Sequence, residues 1–167
     1  MSYVALLRGL NVGRANRIKM DALRHLAEGI GWRDVRHYLQ SGNLLFEAKA
    51  PRATALEAAL AQAGIASEVV ILQTTQLKAA LEALPYGTDR PKQVHLYFAK
   101  TPLTLTADPA PFAEEGAQAC ARDGVVYLHT PGGMGRSKLA AKLPSLLSEP
   151  ATGRNLSTMR ALVEMAG

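Results

Sequence analysis

The residues best suited to chemistry in this sequence are arginines and asparagines set among glycines. Leu6-Leu7-Arg8-Gly9-Leu10-Asn11-Val12-Gly13 runs an apolar segment into Arg8 and then into a glycine-punctuated loop. An Arg offers a planar fork to carboxylate or phosphate, an Asn offers a donor and an acceptor, and glycines permit close backbone approach. Arg14, Arg17 and Lys19 follow within reach. A second stretch, Gly132-Gly133-Met134-Gly135-Arg136-Ser137-Lys138, lies between an expected strand and an expected helix. There, bare N–H groups and the helix dipole favour an anion, with Ser137 suited to the N-cap. A third stretch, residues 152–158, precedes the last expected helix; Asn155 or Ser157 is suited to cap it, whereas Arg154 has no such local duty. Ser41 and Asn43 flank Gly42 and are turn formers first, ligands second. The candidate binding set is therefore Arg8, Asn11, Gly13, Ser41, Asn43, Lys138, Arg154 and Asn155.

Several established chemistries lack their residues. The Gly-x-Gly-x-x-Gly dinucleotide spacing is absent, and the second glycine stretch lacks the Gly-Lys-Ser/Thr of a phosphate-binding NTPase loop. His25, His37, His95 and His129 are not at metal-ligand spacing. Tyr97, Phe98 and Tyr127 fall on expected strands without the aromatic signature of an RNA-recognition sheet, which makes them core residues. Cys120, the single cysteine, reads as a small core residue; it excludes an internal disulfide and suits a reducing cytoplasm. No catalytic residue, metal site or cofactor is identified, so an enzyme of unidentified reaction is only a third reading.

The elements that would position these groups follow from hydrophobic period. Residues 3–8 are near-continuously apolar, as in a central strand with both faces covered. Met20, Leu23, Leu26, Ala27 and Ile30 form a helical stripe ending at Gly31. Strands at 35–40 and 44–48 are joined through Ser41-Gly42-Asn43, and Pro51 opens a helix closed by Gly64. A strand at 69–72 completes the order βαββαβ, the ferredoxin-like unit. A connecting helix at 75–84 and a turn at Thr88-Asp89-Arg90-Pro91 follow. The grammar then repeats: a strand at 93–99, a short helix near 112–115, a hairpin of 117–121 with 125–130 around Asp123-Gly124, a helix from Ser137, and a short strand at 152–155. Pro144 should kink or break the helix from Ser137. The expected fold is α+β, a tandem repeat of two ferredoxin-like βαββαβ subdomains joined by a helix, with a C-terminal helix added. The boundaries are 1–73, 74–91 and 92–167.

Charge narrows the partner. Residues 1–36 carry seven Lys/Arg against three acids, residues 37–135 seven against nine, and residues 136–167 five against two. The basic excess thus coincides with the glycine loops at both ends, which suits an anionic partner, either a phosphate-bearing small molecule or nucleic acid. No apolar run approaches the roughly 20 residues of a membrane span, and the N-terminus lacks a secretory pattern. A cytoplasmic protein without membrane association is expected.

These residues resemble a mostly bacterial family called domain of unknown function 1697. The likeness rests on Ala5-Leu6-Leu7-Arg8-Gly9-Leu10-Asn11-Val12-Gly13, Lys19-Met20 with Leu23, Gln40-Ser41-Gly42-Asn43 with Phe46, Ser137-Lys138, and Thr152-Gly153-Arg154-Asn155-Leu156-Ser157-Thr158. The chain departs from the family pattern at Gly153, where Thr is usual, and at Leu156, where Trp is usual. The resemblance implies a tandem ferredoxin-like fold and no particular activity. The reading that results is a protein binding a small anionic ligand in a basic cleft between the halves, with nucleic-acid binding as the alternative.

Overall fold

Residues 1–87 and 89–167 are described in the computed structural model. Thr88, the first residue of the expected turn at 88–91, lies outside them. Among the described residues there are two four-stranded antiparallel sheets and five α-helices. The chain divides into two compact units, Met1–Lys78 with Leu162–Gly167, and Ala79–Ala161. No helix of the described residues is long and apolar enough to cross a membrane.

In the first unit, β1 (Ser2–Arg8), β2 (Arg33–Tyr38), β3 (Asn43–Glu47) and β4 (Glu68–Gln73) lie in the order β2-β3-β1-β4. The apolar run that predicted a central strand is fully used: Val4, Ala5, Leu6 and Leu7 have no exposed surface. Tyr3, Ala5 and Leu7 share one core with Leu23 and Ala27 of α1 (Met20–Gly29) and Leu56 and Leu60 of α2 (Ala53–Gln62). Each fully buried Leu stabilises the fold by about 1.5–3 kcal/mol. Trp32 stacks on Phe46 at 3.8 Å between centroids. It reaches that position because α1 ends in paired bonds, from Gly31 N–H to Glu28 O and from Trp32 N–H to Ala27 O. The same pair, from Gly64 to Ala61 and from Ile65 to Leu60, ends α2.

In the second unit, β5 (Val94–Phe98), β6 (Gln118–Arg122), β7 (Val125–His129) and β8 (Thr152–Asn155) lie in the order β6-β7-β5-β8. In both sheets the first strand in sequence is flanked by the third and the fourth, and the second lies at the edge. The remaining helices are α3 (Thr74–Glu82), α4 (Lys138–Leu146) and α5 (Leu156–Met165). Tyr127 is buried and donates its hydroxyl to Ala80 O at 2.7 Å, while Phe98 is 3% exposed, so both are core residues as expected.

Two local expectations change. The short helix expected near 112–115 is a 3-10 turn at Ala110–Phe112, because Pro109 and Pro111 remove the donors a longer helix needs. The helix α4 also passes through Pro144 and ends two residues later, so the expected break falls at its last turn. The Asp123-Gly124 turn forms with φ of +49° and +80°, the paired left-handed geometry of a tight hairpin.

Candidate functional site

At the end of β1 the chain turns away at Arg8 and reaches α1 through an irregular but tightly held loop. Gly9, Asn11, Gly13 and Asn16 all have positive φ, between +52° and +70°. Asn tolerates this region because its short amide bonds locally, and here both asparagines do so. Asn11 donates to Gln40 O at 2.7 Å and accepts from Ile18 N–H at 2.8 Å. Asn16 donates to Ala66 O at 2.8 Å and accepts from Ala66 N–H at 3.1 Å. Asn11 N–H donates to Asn16 O, and Arg17 Nε donates to Gly13 O at 2.8 Å. The loop is therefore fixed by side chains at both its base and its neck.

The β2–β3 turn is built to meet it. Asn43, with no exposed surface, donates to Tyr38 O at 2.7 Å and to Ser41 Oγ at 3.2 Å. Gly42 has φ of +97°, and a Cβ there would sit 2.9 Å from both Leu7 Cβ and Leu10 Cδ2, so only glycine fits. Leu39 also has a positive φ, +59°, and is half exposed. A bulky residue in that region costs on the order of 1–3 kcal/mol, which the surrounding bonds must hold in place.

Arg8, Arg14, Arg17 and Lys19 are exposed on this platform, and no acid occurs among the first twenty residues. Arg8 meets Glu68, its cross-strand neighbour, at 3.6 Å, with both side chains about half exposed. A pair that exposed contributes about 0–1 kcal/mol and leaves Arg8 facing solvent. The N–H groups of Gly13 and Arg14, at the loop's tip, donate to no carbonyl among the described residues. Val12 is 64% exposed beside them. Exposed cations on a pinned backbone, open N–H groups and exposed apolar side chains suit an anion that carries an apolar part.

Of the candidate set, Arg8, Asn11, Gly13, Ser41 and Asn43 belong to this end of the first unit. Arg8 and Gly13 face solvent, whereas Asn11, Ser41 and Asn43 hold the platform. Asn16 and Leu39 were missed: the signal for Asn16 was a second Asn in a glycine loop, and Leu39 carried none.

Lys138, Arg154 and Asn155 belong to the second unit. The anion-binding expectation for the start of α4 meets an occupant from the chain itself. Ser137 Oγ accepts from Ala140 N–H at 3.0 Å, and the Glu114 carboxylate accepts from Leu139 N–H at 3.1 Å. Hydrogen bonding by the Ser137 hydroxyl, and then by the N–H groups of Leu139, Glu114 and Lys138, holds the Glu114 carboxyl below its usual range. Lys138 stays exposed in the first turn. Asn155 accepts from Thr158 N–H at 2.9 Å and so caps α5. Arg154 donates to Thr152 Oγ1 and Gly153 O at 2.8 and 2.9 Å, and burial lowers its pKa to about 10. Gly153 has a clear reason to be small, since a Cβ there would lie 2.5 Å from the Tyr97 ring on β5. No group of three or more His, Cys, Asp or Glu residues able to hold a metal occurs among the described residues.

Residues 1–127 match the family described as Protein of unknown function (DUF1697). A conserved bacterial protein from Streptococcus pneumoniae, SP0830, has a similar structure at 23% identity, with a TM-score of 0.71 over 99% of this chain and 98% of that one. At that identity the likeness is one of fold. No curated protein matches the sequence.

Proposed function

Because the chain belongs to the DUF1697 family, whose description assigns no activity, we propose its function from the site itself: the chain binds a phosphate-bearing small molecule on the platform formed by the loop after β1 and the β2–β3 turn. The observation that carries this is the pinned tip at Gly13-Arg14, where two open N–H groups sit among exposed cations on a backbone held by Asn11 and Asn16. Such preorganisation lowers the ordering cost of binding. Val12 and Leu39 supply apolar surface for the rest of a nucleotide-like ligand. We also infer that each unit is ferredoxin-like. The order β-α-β-β-α-β in the first unit, and an inner first strand flanked by the third and fourth in both sheets, support that reading.

Calorimetric titration with inorganic pyrophosphate, a nucleoside diphosphate and a single-stranded oligonucleotide tests the assignment. The small phosphates should bind with a shallow salt slope, and Arg14→Ala should weaken them about tenfold or more without changing the melting temperature. A steep slope confined to the oligonucleotide would favour nucleic-acid binding instead. No heat from any of the three would remove the proposal.

A further inference from the structure

The second unit contains a cavity of about 420 Å³ beside its outer strand β6. That volume falls within the roughly 300–1,000 Å³ of small-ligand pockets. Its walls are mostly alanine, proline and Leu139, while its polar character comes from a few side chains. Strand alternation puts Gln118, Cys120 and Arg122 on one face of β6, and all three line the cavity. Tyr86 approaches from the chain before β5, its ring stacked on His129 at 5.4 Å.

The Tyr86 hydroxyl is fully enclosed and has no hydrogen bond of acceptable geometry among the described residues. The Cys120 thiol acts on it but is a weak acceptor, so a buried donor is left unsatisfied, which costs about 1–3 kcal/mol. Burial, chiefly, and the thiol hold the phenol well above its usual pKa, so it is a neutral O–H donor throughout the physiological range. Arg122 lines the same cavity, and its charge opposes that shift. One guanidinium N–H is anchored to Ala83 O at 3.3 Å, and four further N–H donors remain for a ligand. Asp108, the one acid of the lining, accepts from Ala110 N–H at 3.0 Å and so serves its own turn.

A neutral hydroxyl donor and a guanidinium above apolar walls match a compact anion with an apolar body. We infer that this cavity is a binding site for a small organic carboxylate, held by Tyr86 and Arg122 against the Cys120 thiol. It uses none of the residues of the platform on the first unit and stands or falls separately from it.

Cys120 is the only cysteine in the chain, so alkylation reports on this site alone. Iodoacetate carries a carboxylate and iodoacetamide does not. With either reagent the Cys120 sulfur bonds the methylene carbon, iodide leaves, and the thiol proton goes to buffer. In the full chain, labelling by iodoacetate should saturate with concentration and be slowed by added propionate, whereas labelling by iodoacetamide should stay linear. Arg122→Gln should raise the half-saturating iodoacetate concentration about tenfold or more at an unchanged melting temperature, and Tyr86→Phe, which removes the unsatisfied donor, should weaken propionate protection without lowering the melting temperature. Linear iodoacetate kinetics in the unmodified chain would overturn the assignment without recourse to a variant. So would equal slowing by inorganic phosphate, chloride and propionate, which would reduce the effect to charge screening.

Discussion

The two sheets share one strand order, yet the chain that leaves their first strands does opposite things. After β1 it enters a loop with three cations, left-handed residues and an exposed tip. After β5 it enters a proline-containing segment that packs inward: Leu103 is 1% exposed, Leu103 N–H donates to Gly124 O, and Thr106 N–H donates to Leu146 O at 2.7 Å. The charge reverses as well, since Asp108, Glu114 and Glu115 replace the arginines, and Glu114 caps the start of α4. A common frame thus uses equivalent connections once for display and once for packing. Leu10 anchors the first loop in the core at 2% exposure, so function is to be sought in the exposed tip beyond it.

Substitutions sharpen this contrast in order of size. Gly42→Val adds both left-handed strain and overlap with Leu7 and Leu10, and should cost about 3 kcal/mol or more in chemical denaturation. Gly13→Ala, where a Cβ meets nothing within 4 Å, should cost only about 1 kcal/mol while weakening phosphate binding. Equal losses at the two positions would erase the distinction between support and display. In the second unit, Gly124→Val should destabilise by about 2 kcal/mol, because a Cβ would lie 2.9 Å from Pro102 Cβ. An unchanged melting temperature would show that the segment after β5 does not pack as described.

Asn16→Ala should cost about 1–2 kcal/mol through its lost pairing with Ala66, and should loosen the tip. Proteolysis of the loop at residues 12–15 should accelerate; an unaltered rate would place the restraint elsewhere. The smallest effect concerns Glu114. Its carboxyl titrates below the unfolded value, so its stabilisation is present above about pH 4.5 and is lost as pH falls through the folded value. The unmodified protein should therefore lose more stability than Glu114→Gln between about pH 5 and about pH 3. Parallel pH profiles would show that the cap carries no charge-linked stability.

Much of the frame was legible because its signals are local. The apolar run at 3–8 has one use, a central strand, and Asp123-Gly124 has one common geometry. The site was legible only as a region. Arg8, Asn11 and Gly13 have types suited to binding, yet the sequence does not say that Asn11 is committed to Gln40 and Ile18, or that Glu68 lies across from Arg8. Those are facts of strand register and of contacts over 29 and 60 residues. Glu114 as the occupant of the α4 terminus, Leu39 in a left-handed conformation and the cavity at Tyr86 have no short-range signature at all. The fold makes them by bringing distant segments together.

The central claim is that the loop after β1, and not the glycine stretch before α4, meets the anion. Backbone amide NMR shifts during titration with inorganic pyrophosphate test it most directly. The amides of Gly13 and Arg14 should move most, and an Arg14→Ala, Lys19→Ala double variant of unchanged fold should lose those shifts. Shifts centred on residues 137–140, with Gly13 and Arg14 unmoved, would contradict the account.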